Sequence, residues 1–80
     1  MSKMISEHDF MQNEEQRLRT LSERMDRIIK DCEIDCATIA RECGIDPRIA
    51  RRARRGIPVR ADTTARLELY LSIMERNLMR

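Results

Sequence analysis

The chain has 80 residues, of which 38% are charged and 41% hydrophobic, with two glycines and two prolines. This length fits one small domain, and the composition favours helices over disorder. One Tyr, one Phe and no Trp argue against an aromatic platform for single-stranded bases. No apolar run approaches membrane-spanning length and the first residues lack a signal peptide's apolar core, so we expect a cytoplasmic protein.

Positive charge is concentrated in one segment. The formal net charge is +2, yet residues 1–46 carry 7 basic and 11 acidic groups, and residues 67–80 are balanced. Residues 47–66 carry 7 basic groups, all of them arginine, against the single acid Asp62. Such a local excess indicates an anionic partner for this segment.

The first predicted helix has one apolar face. Its apolar residues recur at spacings of three and four and are Leu18, Leu21, Met25, Ile28 and Ile29. This periodicity predicts an amphipathic helix over residues 18–31, with a less regular extension through Met11 toward residue 7. We therefore divide the chain into an N-terminal extension at residues 1–17, partly helical or mobile, and a domain at residues 18–80.

A break over residues 31–34 precedes a short second helix. Asp35 is of the type that caps a helix N-terminus, and Gly44 suits the left-handed position past a C-terminus. These signals predict a helix over residues 36–43. Cys43 falls on its apolar stripe, as a small core residue would.

The third predicted helix has equally clear ends. Asp46 is an N-cap type, Pro47 suits the first helical position and Gly56 suits the position past the end, which predicts a helix over residues 47–55. Ala50 and Ala53 lie opposite its cationic face. That face and its edge consist of Arg48, Arg51, Arg52, Arg54 and Arg55.

A loop at residues 57–59 leads into a final helix that starts at Arg60 or Ala61 and is continuous or bent near Ser72. Its apolar positions are Ala65, Leu67, Tyr70, Leu71, Met74 and Leu78. The predicted fold class is all-α, a compact bundle of four to five helices.

The cysteines do not indicate a metal site. Cys32, Cys36 and Cys43 lack the paired close spacing of a zinc site, and His8, the one histidine, lies far upstream. We expect no metal and no cofactor, and interpret the cysteines as reduced thiols, with a redox role for Cys32 left open. The sequence shows no catalytic triad or phosphate-binding glycine loop, so we expect that the protein is not an enzyme.

The two short helices and their turn form a helix-turn-helix pattern. Gly44 sets the angle of the turn, and Ala40 lets the two helices approach closely. The side chains predicted to share their core are Ile39, Cys43, Ile45, Ala50 and Ala53.

These residues resemble the lambda-repressor-like (XRE) family of helix-turn-helix regulators. Residues 38–46, TIARECGID, are similar to the family's LAxxxGVS segment, and Arg54-Arg55-Gly56 is similar to its IxRG ending. Residues 59–68 are similar to the fourth helix of plasmid-maintenance antitoxins within that family. The resemblance covers most of the chain, from residue 18 to residue 74.

The resemblance implies a lambda-repressor-like bundle that binds duplex DNA, with residues 47–55 as the recognition helix in the major groove. The base-reading positions would be Pro47, Arg48 and Arg52, with Ile49 against a thymine methyl. The residues that would contact phosphate are Arg51, Arg54, Arg55 and Arg60. Relatives carry larger aliphatic residues where this chain has Ala50 and Ala53, so this helix lies closer to the core or packs less firmly.

Arginine suits both tasks, because its guanidinium pairs bidentately with guanine and also neutralises phosphate. We therefore predict a sequence-specific transcriptional regulator, a nucleoid-associated repressor that acts by operator occupancy. A homodimer is expected, since it reaches a second half-site about 34–36 Å away. The alternatives are an antitoxin-like or adaptor module with incidental nucleic-acid binding, partnered by a toxin or anti-repressor, and an RNA-binding protein.

Overall fold

The computed structural model describes the backbone of residues 7–79 and the side chains of residues 13–79. Over that range the protein is an all-α bundle, as predicted, made of α1 (Glu7–Cys32), α2 (Cys36–Cys43), α3 (Pro47–Arg54) and α4 (Ala61–Leu78). Helices α3 and α4 each pack against both α1 and α2. None of the four described helices combines the length and apolar character that a membrane crossing needs.

Helix α1 is longer than its apolar stripe. It begins at Glu7 and runs without a break through the boundary that we drew after residue 17. One contact that supports this region is an ion pair from Arg17 to Glu68 of α4, with 2.6 Å between Nη2 and Oε1. Residues 1–6 and the side chains of His8 and Met11 lie outside the described part of the chain.

The predicted N-caps of the two short helices are confirmed. The Asp35 carboxylate accepts a hydrogen bond of 2.9 Å from the backbone N–H of Thr38 at the start of α2. The Asp46 carboxylate accepts one of 2.8 Å from the backbone N–H of Arg48 at the start of α3. Each bond satisfies a donor that the first turn of a helix leaves unpaired.

Three helices end in the same hydrogen-bonded motif. In each, one residue takes the left-handed conformation, and the next N–H donates to the carbonyl five residues back at 2.9–3.2 Å. The left-handed residues are Glu33 (φ 56°), Gly44 (φ 70°) and Gly56 (φ 77°). The two glycines confirm the predicted ends, although α3 stops at Arg54 with Arg55 as its C-cap, one residue before the predicted boundary.

The core lies where α1, α2, α3 and α4 meet. Its buried residues are Leu21, Met25, Ile28, Cys36, Ile39, Ala40, Ala50, Ala53, Leu67 and Leu71. Cys43 and Ile45, predicted for the core, are only half-buried at its edge. Leu78, a predicted apolar position of α4, is exposed because it lies in the last turn of that helix. Helix α4 itself runs unbroken past Ser72.

Candidate nucleic-acid interface

Alanine residues let α3 lie close against the bundle. Ala50 and Ala53 on α3 are fully buried, and so is Ala40 on the facing α2. A side chain of one methyl group fills little space, so the two helices pack at short range. Ala50 and Ala53 therefore belong to the core, and α3 packs directly against it.

At the N-terminus of α3, the carboxylate of the N-cap Asp46 forms an ion pair with Arg48. The Asp46 Oδ2 atom lies 3.2 Å from Nη2 of Arg48, whose side chain is 82% exposed. Hydrogen bonds from the Arg48 side chain and then from its backbone N–H lower the pKa of Asp46. The carboxylate therefore stays charged, and Arg48 extends into solvent beside the first turn of α3.

At the other end, α3 is tied to α1. The Arg54 Nε donates a hydrogen bond of 2.7 Å to Oδ1 of Asp26. The Ser22 hydroxyl donates a second one to the backbone carbonyl of Arg54. Arg54, which we expected at phosphate, thus has an acidic partner within the protein and helps to hold α3 in place.

Three arginines of α3 and its C-cap have no such partner. Arg51, Arg52 and Arg55 are all exposed, and no ion pair among the described side chains includes any of them. The cationic face that the sequence indicated is therefore present, but its charges differ in availability: two have an acidic partner within the protein, and three have none among the described side chains.

Grooves flank α3 on both sides. One, of about 710 Å³, is lined by residues of the α2–α3 turn, α3 and the start of α4, and includes Ile49 and Arg52. The other, of about 490 Å³, lies between α3 and the start of α2 and includes Arg51 and Arg55. Both grooves also contain carboxylates, which are Asp46 and Asp62 in the first and Asp26 and Asp35 in the second.

The first groove brings together predicted and unpredicted residues. Ile49 and Arg52 of α3 share it with Arg60 and with Arg66 of α4. Arg60 is exposed, and its Nε lies 3.5 Å from Oδ1 of Asp62. Pro47 is also exposed, at the first position of α3. Arg66 was not among our site residues, although the charge excess of residues 47–66 includes it.

The described side chains contain no cluster of three or more His, Cys, Asp or Glu residues that could hold a metal ion. All three cysteines are free thiols: Cys36 is buried, whereas Cys32 and Cys43 are half-buried. Burial, and then the neighbouring Glu42, raises the pKa of the Cys43 thiol, which therefore stays protonated at neutral pH.

No protein-family model, curated protein or solved structure matches this chain.

Proposed function

We propose that the protein binds duplex DNA through α3 and acts as a transcriptional regulator by occupying an operator. One observation carries this proposal: Arg51, Arg52 and Arg55 stand exposed on one short element without an acidic partner among the described side chains. Exposed arginines on a solvated helix are ordinarily balanced by nearby acids. Phosphates of a nucleic acid would provide the missing negative charge.

The dimensions of α3 suit the major groove. With its side chains an α-helix is about 10–12 Å across, and the major groove of B-form DNA, at about 12 Å wide, admits the 8-residue α3. Arg48 and Arg52 are one turn apart, so both would reach base edges, with Ile49 beside them at a thymine methyl. Arg51 and Arg55, also one turn apart, would then contact phosphate, and Arg60 would do so from the following loop.

The proposal includes a homodimer, because two associated copies bind two half-sites more tightly than one copy binds a single half-site. The protein would then be associated with the nucleoid. Control of such a regulator would come from its own concentration or from a separate protein, such as a toxin or anti-repressor.

Selection from a randomised duplex pool tests this function at about 150 mM salt. Wild type should enrich an inverted repeat, and Arg48→Ala/Arg52→Ala should lose that enrichment. Arg27→Ala/Arg76→Ala removes the same charge from exposed positions on α1 and α4 and should keep it. If both double variants weaken DNA binding equally and no sequence is enriched, the arginines only neutralise phosphate. Preference for structured RNA in competition would favour the RNA-binding alternative.

A second candidate function is an antitoxin-like or adaptor module. It is favoured by Leu69 and Ile73, two large apolar side chains that α4 leaves exposed. An adaptor would still bind its protein partner after Arg48→Ala/Arg52→Ala, whereas an operator-binding regulator would lose its function in the same variant.

A further inference from the structure

A second surface, built from α2 and α4, combines apolar and charged side chains. On α4, Leu69 is 65% exposed and Ile73 is 49% exposed. They are four residues apart and therefore neighbours on one helix face. Together they line a groove of about 300 Å³ that contains no residue of α3. We call this surface the α4 patch; it consists of Glu42, Cys43, Arg66, Leu69, Tyr70 and Ile73.

The α4 patch has an uncharged floor. The Tyr70 hydroxyl is buried and has no hydrogen-bond partner among the described residues. Burial, followed by the nearby Glu42, raises the pKa of Tyr70, so the phenol stays neutral. Cys43, half-buried at the end of α2, adds another neutral group. The floor is therefore uncharged, and covering the exposed apolar side chains of Leu69 and Ile73 beside it is favourable.

Two opposite charges border this uncharged floor. Glu42 and Arg66 are both exposed, and neither belongs to an ion pair among the described side chains. A partner of one charge sign would attract one of these groups and repel the other. A second copy of the patch, rotated by a two-fold axis, would instead bring each guanidinium to the carboxylate of the other chain.

We propose that the α4 patch is a two-fold interface for a second copy of this chain. Leu69 and Ile73 pack around the axis, and Arg66 of each chain pairs with Glu42 of the other. The inference rests on the homodimer of the proposed function and adds the surface through which that dimer forms. It is measured without DNA, so a failure of this interface is distinguishable from a failure of DNA binding.

Charge reversal tests the pairing by sedimentation equilibrium. Glu42→Arg alone places two arginines on each side of the axis, and Arg66→Glu alone places two glutamates there. Each variant should therefore dimerise at least tenfold more weakly than wild type. An equimolar mixture of the two should dimerise again, because in the mixed dimer both pairs unite an arginine with a glutamate. A pair restored within one chain could not produce this recovery.

Apolar substitution tests the centre of the interface. Leu69→Glu should weaken self-association at least tenfold, whereas Met79→Glu, an exposed apolar position outside the patch, should leave it unchanged. Helical circular dichroism and the thermal midpoint of each variant show that the fold is retained. The proposal is overturned if wild type stays monomeric up to about 100 µM chain. It is also overturned if the mixture of charge-reversed variants fails to associate when wild type does.

Discussion

Replacing Asp26 by Asn should strengthen DNA binding while it weakens the fold. Asp26 on α1 lies 2.7 Å from the Arg54 guanidinium, and the two side chains are 56% and 45% exposed. The substitution keeps the shape of residue 26 but removes its charge, so Arg54 becomes available to a phosphate. The same change removes an attraction that holds α3 on α1, so the thermal midpoint should fall slightly.

The size of the effect on DNA follows from the number of free arginines. Each phosphate neutralised contributes about 0.9 to the slope of log K against log salt concentration. On a duplex without an operator Arg52 has no base to read and contacts phosphate as Arg51 and Arg55 do, so these three unpaired arginines give an expected wild-type slope of about −2.7 per bound chain. Release of Arg54 by Asp26→Asn should steepen it to about −3.6.

Fluorescence anisotropy on a non-specific duplex, titrated at salt concentrations from about 50 to 200 mM, measures this slope. Asp31→Asn is the matched control, because it makes the same change at an exposed α1 position outside the ion pairs of the described side chains. If Asp26→Asn and Asp31→Asn give the same slope, Asp26 does not keep Arg54 from the DNA. A wild-type slope already near −3.6 per chain would refute the reasoning equally.

Two further predictions concern helix ends. Glu33 has a left-handed backbone conformation, which costs a residue other than glycine about 1–2 kcal/mol. A glycine avoids this cost but loses more conformational freedom on folding, so its net advantage is smaller. Glu33→Gly should therefore be about 1 kcal/mol more stable than Glu33→Ala, a rise of about 4–8 °C in thermal midpoint, and equal midpoints would contradict this. Hydrogen bonds from the Thr38 backbone N–H and then from the Thr38 hydroxyl lower the pKa of Asp35. The charged carboxylate therefore stabilises the folded protein above the unfolded pKa of about 3.9, and this stabilisation is lost as the pH falls through the folded pKa. Asp35→Asn should flatten the decline of the midpoint below about pH 4, and a decline as steep as that of wild type would show that this carboxylate is not responsible.

Much of the fold could be predicted from the sequence, because its signals act over a few residues. Asp35 and Asp46 cap the helices that follow them within three positions, and Gly44 and Gly56 end helices through their own backbone conformation. The apolar period of α1 identified most of its buried face. Glu33 escaped prediction, because a residue with a side chain seldom takes the conformation that it has here.

The sequence by itself thus determined the four helices, the cationic face of α3 and the small residues behind it. Only the tertiary structure decided which charges are available. The pair between Asp26 and Arg54 joins residues 28 apart, and that between Arg24 and Glu75 joins residues 51 apart. The tertiary structure also decided that Leu69 and Ile73 of α4 stay exposed. Periodicity reports which face of a helix is apolar, whereas exposure and pairing depend on neighbours that are distant in the chain and meet only when the helices pack.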